Sequence, residues 1–85
     1  MIDKISELAK SNTKISDFHL RDGSDISYRL LGDIVIEPNS RINDKDLQEL
    51  LKNNCSESEI KKFELKNELD TAVMLGELRF RANFY

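Results

Sequence analysis

Apolar residues in the first part of the chain pass from helical spacing to the alternation typical of strands. Residues 2–11 carry apolar side chains at helical spacing, which predicts a short amphipathic helix. Residues 15–21 alternate instead, with Phe18 and Leu20 on one side, and indicate a half-buried strand. A turn over residues 22–25 then leads to a second strand, whose apolar face consists of Ile26, Tyr28 and Leu30.

The third strand is predicted to be short. Gly32 and Asp33 form a two-residue hairpin signal, and a glycine in first place suits the positive φ of a type II′ turn. Residues 34–36 would form the returning strand, because Pro38 and Asn39 follow and are unfavourable in strands.

Two helices with capping signals come next. Asn43 can cap the first helix, whose buried stripe consists of Leu47, Leu50 and Leu51. Ser56 can cap the second, and Glu59 completes a capping box three residues later. Cys55 and Ile60 occupy the two positions of a hydrophobic staple, so we interpret Cys55 as a structural residue rather than a reactive thiol.

Alternation with period two returns in residues 69–75 and 78–84, with a turn at Gly76 and Glu77 between them. The inward-facing residues of the two strands are Leu69, Thr71, Val73, Leu75, Leu78, Phe80, Ala82 and Phe84. The opposite face of the last strand carries Arg79, Arg81, Asn83 and Tyr85. A slip of one residue would bury two arginines, so this register is well specified.

This order of elements predicts one α+β domain with two layers, a mostly antiparallel sheet and helices packed against one face. Short connections between neighbouring strands favour antiparallel pairing. The expected core consists of Phe18, Leu20, Tyr28, Leu47, Leu50, Phe63, Phe80 and Phe84.

Composition narrows the class of protein. The chain is 39% hydrophobic and 34% charged, which is typical of a globular domain rather than a disordered segment. A net charge of −3 argues against direct, sequence-independent nucleic-acid binding. No apolar run approaches the roughly 20 residues that cross a bilayer, and the only cysteine excludes an internal disulfide, so we expect a cytoplasmic domain without membrane insertion.

The residues do not form a recognisable catalytic centre. The only histidine and the only cysteine fall on different predicted elements, and no spacing suits zinc. Three isolated glycines cannot build a phosphate-binding loop. We therefore expect neither enzymatic activity nor a cofactor, and no metal, in residues 1–85.

The arginines are distributed differently from the lysines. All five arginines fall on predicted strands or loops: Arg21, Arg29, Arg41, Arg79 and Arg81. Arg79 and Arg81 lie two positions apart on one strand, so their guanidinium groups share a face roughly 7 Å apart and could hold an anion between them. The alternative is an exposed strand face on which they pair with Asp70 or Glu68 across the hairpin.

Two stretches of the chain resemble the N-terminal domain of the type IV pilus retraction and type II/IV secretion ATPases. Ser16-Asp17-Phe18-His19-Leu20, followed by Gly23, Arg29 and Gly32, resembles the beginning of that domain. Glu68-Leu69-Asp70 and Arg79-Phe80-Arg81-Ala82-Asn83-Phe84 resemble the end of that domain. The second of these motifs resembles the retraction branch more than the secretion branch. The resemblance covers residues 3–85, although Asp25 and Ile26 stand where the retraction branch usually has two prolines.

The resemblance implies a PAS-like domain of a hexameric ATPase that takes part in pilus function or protein secretion at the inner membrane. Such a domain packs against the ATPase domain of the same and neighbouring subunits and senses the nucleotide state. ATP and magnesium would bind to an ATPase domain beyond Tyr85. Carried over by position, Arg79 and Arg81 are the candidates to face the nucleotide. Asp17, His19 and Arg29 match motif positions without an assigned role, and we interpret His19 as a hydrogen-bonded structural residue.

Two other functions stay open on the residues alone. A free-standing PAS-like sensor would bind a small molecule in its core, which requires a cavity there. A protein-binding adaptor would use the edge of the strand that carries Arg79. We also expect the chain to be part of a longer protein, because Tyr85 falls inside a strand pattern.

Overall fold

Three helices and five strands make up the part of the chain that the computed structural model describes, which is residues 2–75 and 77–85, with only the backbone of Ile2. In chain order they are α1 (Ile2–Ser11), β1 (Ile15–Leu20), β2 (Asp25–Leu30), β3 (Asp33–Arg41), α2 (Asp44–Asn54), α3 (Glu57–Lys66), β4 (Leu69–Leu75) and β5 (Leu78–Phe84). The predicted α+β class is confirmed. The predicted turn at Gly76 and Glu77 includes residue 76, which lies outside the described residues.

The five strands form one mixed sheet in the order β3-β2-β1-β5-β4. The pairs β1–β2, β2–β3 and β4–β5 are antiparallel, as the short connections predicted. The central pair, β1 and β5, is parallel. Because β5 lies inside the sheet, the interpretation of its Arg79 side as a sheet edge is wrong; β3 and β4 are the edges.

The helices pack on one face of the sheet, as expected. Apart from Phe63, every residue of the expected core is buried, and Phe63 is half-buried with its ring centroid 6.2 Å from that of Phe84. Phe18 meets Phe80 edge to face at 4.8 Å between centroids. Each such fully buried side chain contributes about 1.5–3 kcal/mol to folding, so this layer fixes which face of each strand turns outward.

The turn between β2 and β3 differs from the predicted one. Leu31 and Gly32 form it, with φ of 51° and 88°, and Leu30 pairs with Asp33. Positive φ at both positions is the pattern of a type I′ turn rather than a type II′ turn at Gly32 and Asp33. Both turn types match the twist of a hairpin, so the turn itself does not decide which residues form it. The pairing of half-buried Val35 with Tyr28 in the core sets the register, and this register places Leu31 and Gly32 in the turn.

The third strand is longer than predicted and runs to Arg41. Pro38 is tolerated because β3 is an edge strand, and Asn39 adopts a positive φ of 57° where the register shifts. The buried Ser40 closes this bulge: its Oγ donates to the carbonyl of Glu37 at 2.6 Å and accepts from the Ile26 amide at 2.8 Å. A side chain thus replaces the missing ladder bond.

The capping predictions are confirmed. Asn43 Oδ1 accepts from the Asp46 amide at 2.9 Å at the start of α2. Ser56 and Glu59 form the full capping box of α3, which ends at Asn67 in the left-handed conformation. Cys55 packs against the core beside these caps.

Candidate functional site

The sheet face turned away from the helices, here called the open face, carries all five predicted site residues: Asp17, His19, Arg29, Arg79 and Arg81. Two rows cross it, because side chains at paired positions share a face. The first row is Ile34, Arg29, Asp17, Arg81 and Ala72. The second row is Ile36, Ser27, His19, Asn83 and Asp70. The sheet order therefore brings Asp17, His19 and Arg29 together with Arg81.

Asp17 lies at the centre of the first row, between an arginine on each neighbouring strand. Its carboxylate oxygens are 3.7 Å from Nε of Arg29 and 3.8 Å from Nε of Arg81. The Ser16 hydroxyl donates to the same carboxylate at 2.9 Å. One carboxylate thus links β2, β1 and β5.

Arg81 is held on its other side by Asp70. Its Nε donates to Oδ1 at 2.9 Å and its Nη2 donates to Oδ2, which is the bidentate geometry of a strong ion pair. The hydrogen bonds from Arg81 lower the pKa of Asp70, and the charges of Arg81 and His19 act in the same direction. The same bonds raise the pKa of Arg81. We call Arg29, Asp17, Arg81 and Asp70 the charge ladder.

Arg79 also lies on the open face, opposite Met74, so the prediction that both arginines share a face is confirmed. Unlike Arg81, it forms no ion pair with any described residue. Both arginines line a shallow depression of about 590 Å³ above the β4–β5 hairpin, together with Asp70 and Ala72. Arg79 is therefore the guanidinium of the two that is available to an external anion.

His19 occupies the second row, between Ser27 and Asn83. It is half-buried, and its Nε2 is the one buried side-chain nitrogen or oxygen without a hydrogen-bond partner in the described part of the chain. The interpretation of His19 as a hydrogen-bonded residue is therefore not met at this atom.

Cys55 and the carboxylates do not form a second site. Burial raises the pKa of the Cys55 thiol, and the charge of Glu59 adds to this, so the thiolate is disfavoured at neutral pH. Among the described residues, no group of histidine, cysteine and acidic side chains could hold a metal ion. No helix in residues 2–75 or 77–85 is long and apolar enough to cross a lipid bilayer.

The alternative prediction that the arginines pair with Asp70 across the hairpin is confirmed for Arg81. One contact beside the site was not predicted from the sequence. Arg21 lies with its guanidinium carbon 5.7 Å from the centre of the Tyr85 ring, a cation–π contact between the ends of two neighbouring strands. The parallel pairing of β1 with β5 creates this contact, and no local signal indicates it.

Comparisons with protein-family models, with curated proteins and with solved structures found no significant match to this chain. The family suggested by the two motifs therefore stays a prediction.

Proposed function

We propose that this chain is the PAS-like accessory N-terminal domain of a hexameric ATPase of a type IV pilus or type II/IV secretion system. In this role it positions neighbouring subunits and senses the nucleotide, and it does not hydrolyse ATP by itself. One observation carries the proposal: residues from the two motifs, far apart in sequence, meet in a single charge ladder on the open face.

The charge ladder connects the two motifs through ion pairs. Asp17 and Arg29 come from the first motif, and Asp70 and Arg81 come from the second. Ion pairs between exposed groups contribute little stability singly, so four residues arranged in this way are better explained by orientation than by stability. A rigid, cross-linked strand holds a charged group more precisely than a loop does.

The proposal divides the work between the two arginines of β5. Arg79 makes the direct contact with nucleotide phosphate, because its guanidinium is not neutralised by a described carboxylate. Arg81 acts as a positioning residue, since Asp17 and Asp70 hold it. Arg79 is exposed on an open surface, where solvent screens its charge, so the domain alone should bind nucleotide weakly.

A sensor that binds a small molecule in its core is less well supported. The cleft between α1 and the β1–β5 pair, lined in part by Phe18 and Phe80, has a volume of about 150 Å³. Pockets for small molecules usually have roughly 300–1,000 Å³. Phe18 and Phe80 fill the adjoining core by packing against each other.

Two experiments test the proposal. The coding sequence after Tyr85 should contain a phosphate-binding loop and its acidic partner motifs; a gene that ends without them contradicts the motor assignment.

The second experiment compares Arg79→Ala, Arg81→Ala and the control Arg41→Ala in the full-length protein, measuring hexamer formation and ATP hydrolysis together. We expect Arg79→Ala to reduce turnover without loss of the hexamer, by less than the roughly 10³–10⁵-fold effect of an arginine finger. Arg81→Ala should have a smaller effect, and Arg41→Ala none. Wild-type turnover in both β5 variants would show that these arginines form only a solvated strand face.

A further inference from the structure

The outer edge of β3 carries exposed apolar side chains that the charge ladder does not use. Ile34 is 53% exposed and Ile36 is 65% exposed, and both lie on the open face. Leu31, in the turn that begins this strand, is 73% exposed. Beside the two isoleucines lies a depression of about 440 Å³ that is also lined by Ser27 and Tyr85. Contiguous exposed apolar surface marks interaction sites, and an unpaired strand edge is a template for pairing with another chain.

The hairpin register determines which backbone groups of β3 point outward. In an antiparallel hairpin with a two-residue turn, the closing pair, Leu30 and Asp33, exchanges hydrogen bonds, and alternate pairs along the ladder do so too. Ile34 and Ile36 belong to the other set, so their N–H and C=O groups point away from β2. No described side chain or loop bonds to these groups.

The backbone of β4, at the opposite edge of the sheet, follows the same alternation. Leu75 and Leu78 are paired at the end of the β4–β5 hairpin, so the backbone groups of the preceding residue, Met74, are expected to point away from β5. There the amide of Met74 does point outward, and it donates to Oδ1 of Asn54 at 2.9 Å. We call this the capped edge and residues 33–37 of β3 the free edge.

Charge on the free edge selects the occupant. Asp33 and Glu37 flank the apolar residues, and no lysine protects the strand. In a two-fold antiparallel pairing of two copies, Asp33 of one strand would lie opposite Glu37 of the other, and like charges directly opposite are destabilising. A partner strand with basic residues at these two positions meets carboxylates instead.

We propose that the free edge binds an extended segment of another protein, in which basic residues flank three apolar or β-branched residues. The segment adds a sixth strand antiparallel to β3. Its outer two β-branched residues lie opposite Ile34 and Ile36 and exchange backbone hydrogen bonds with them, and its basic residues lie opposite Asp33 and Glu37. The bulge at Pro38 and Asn39 limits the contact to residues 33–37. This binding site is independent of the motor assignment.

The test uses a labelled peptide whose central sequence is Lys-Val-Thr-Val-Lys, extended by glycine and serine for solubility. We expect it to bind the 85-residue chain and to slow amide hydrogen exchange at Ile34 and Ile36. The amide of Val35 points toward β2 and is already protected in the free chain. A peptide with glutamate in place of both lysines should bind at least about tenfold more weakly. The same loss is expected when both valines are N-methylated, which removes the donors but keeps the side chains.

Two matched variants locate the site. Ile36→Lys on the free edge should abolish peptide binding, whereas Met74→Lys on the capped edge, where the side chain is 58% exposed, should leave it unchanged. Equal binding of the charge-reversed peptide, or no protection at Ile34 and Ile36 at millimolar peptide, overturns the proposal. A dimer of the chain alone that Ile36→Lys dissociates also overturns it, because the occupant would then be a second copy.

Discussion

The two edges of the sheet are finished in different ways. On β4, Asn54 at the end of α2 bonds to the outward amide of Met74, and Glu59 of α3 reaches the hydroxyl of Thr71 at 3.4 Å. On β3, the helices supply no such bond among the described residues, and the outward groups of Ile34 and Ile36 face solvent. Only the Ser40 bulge, at the far end, interrupts the pairing surface.

This difference shows that the helical layer protects the sheet unequally. Side chains from α2 and α3 close the edge beside which these helices pack, and the distant edge depends on a local backbone irregularity instead. A protein that exposes one edge in this way has a site for strand addition without any rearrangement of its core.

The largest effect on stability is expected from Ser40→Ala, which removes the side chain that closes the bulge at the end of the free edge. The variant removes the buried hydroxyl between the Ile26 amide and the Glu37 carbonyl and leaves both groups without that partner. We expect a loss of about 1–3 kcal/mol in the free energy of unfolding, measured with urea. Ser58→Ala, on the exposed face of α3, is the control and should change stability by less than about 0.5 kcal/mol. Equal stability of the two variants would mean that the bulge does not depend on this hydroxyl.

Asn54→Ala should make the capped edge resemble the free one. The side chain both accepts from Met74 and donates to the carbonyl of Leu50 at 2.9 Å, so its loss should cost about 1 kcal/mol. Hydrogen exchange at the Met74 amide should become faster, whereas the neighbouring Asn53→Ala, an exposed position on the same helix, should leave it unchanged. An unchanged Met74 amide in both variants would contradict the cap.

Leu31→Asn should sharpen the hairpin that leads to the free edge. Leucine at φ 51° is strained, and the resulting Asn-Gly pair is the preferred sequence of a type I′ turn. We expect a gain of up to about 1 kcal/mol and a higher Tm, with the amide pattern of Ile34 and Ile36 unchanged. Destabilisation would indicate that the exposed Leu31 side chain makes contacts that the described structure lacks.

The smallest effect concerns the charge ladder, which crosses the sheet between the two edges. Because the pKa of Asp70 is lowered by Arg81, the pair adds stability above the ordinary carboxyl pKa of 3.8, and this contribution is lost as the pH falls through the lower folded value. The stability difference between the wild type and Asp70→Asn should therefore be constant near neutral pH and shrink in acid. Unfolding in urea at several pH values measures it, with exposed Asp22→Asn as the control. A difference that grows in acid would give the wrong sign.

Local signals in the sequence were sufficient for the number and type of the elements and for their faces, although not for the end of β3. The caps at Asn43 and Ser56, and the shared face of Arg79 and Arg81, follow from side-chain chemistry and from period two, and the structure confirms them. Pairing between strands that follow each other in the chain was also predicted, from the short connections, whereas the pairing of β1 with β5 was not.

The features that sequence reasoning missed all depend on such relations. Ser40 fills its bulge only because β3 lies beside β2, and Asn54 caps Met74 across 20 positions of the chain. Asp17 meets Arg81 only because the first and last strands are neighbours. Propensity and periodicity describe a residue and its near neighbours, so they carry no information about which strands become adjacent.

The parallel pairing of β1 with β5 also has a consequence for the order of folding. The β1–β3 meander and the β4–β5 hairpin can each form from local contacts, but the sheet is complete only when the two units join through their central strands. That step closes a loop that contains most of the chain, which makes it slow compared with hairpin formation. On the ribosome, β1 must therefore wait with an unpaired side until β5 has been synthesised. During that interval the nascent chain exposes an aggregation-prone strand that the finished domain hides in its centre.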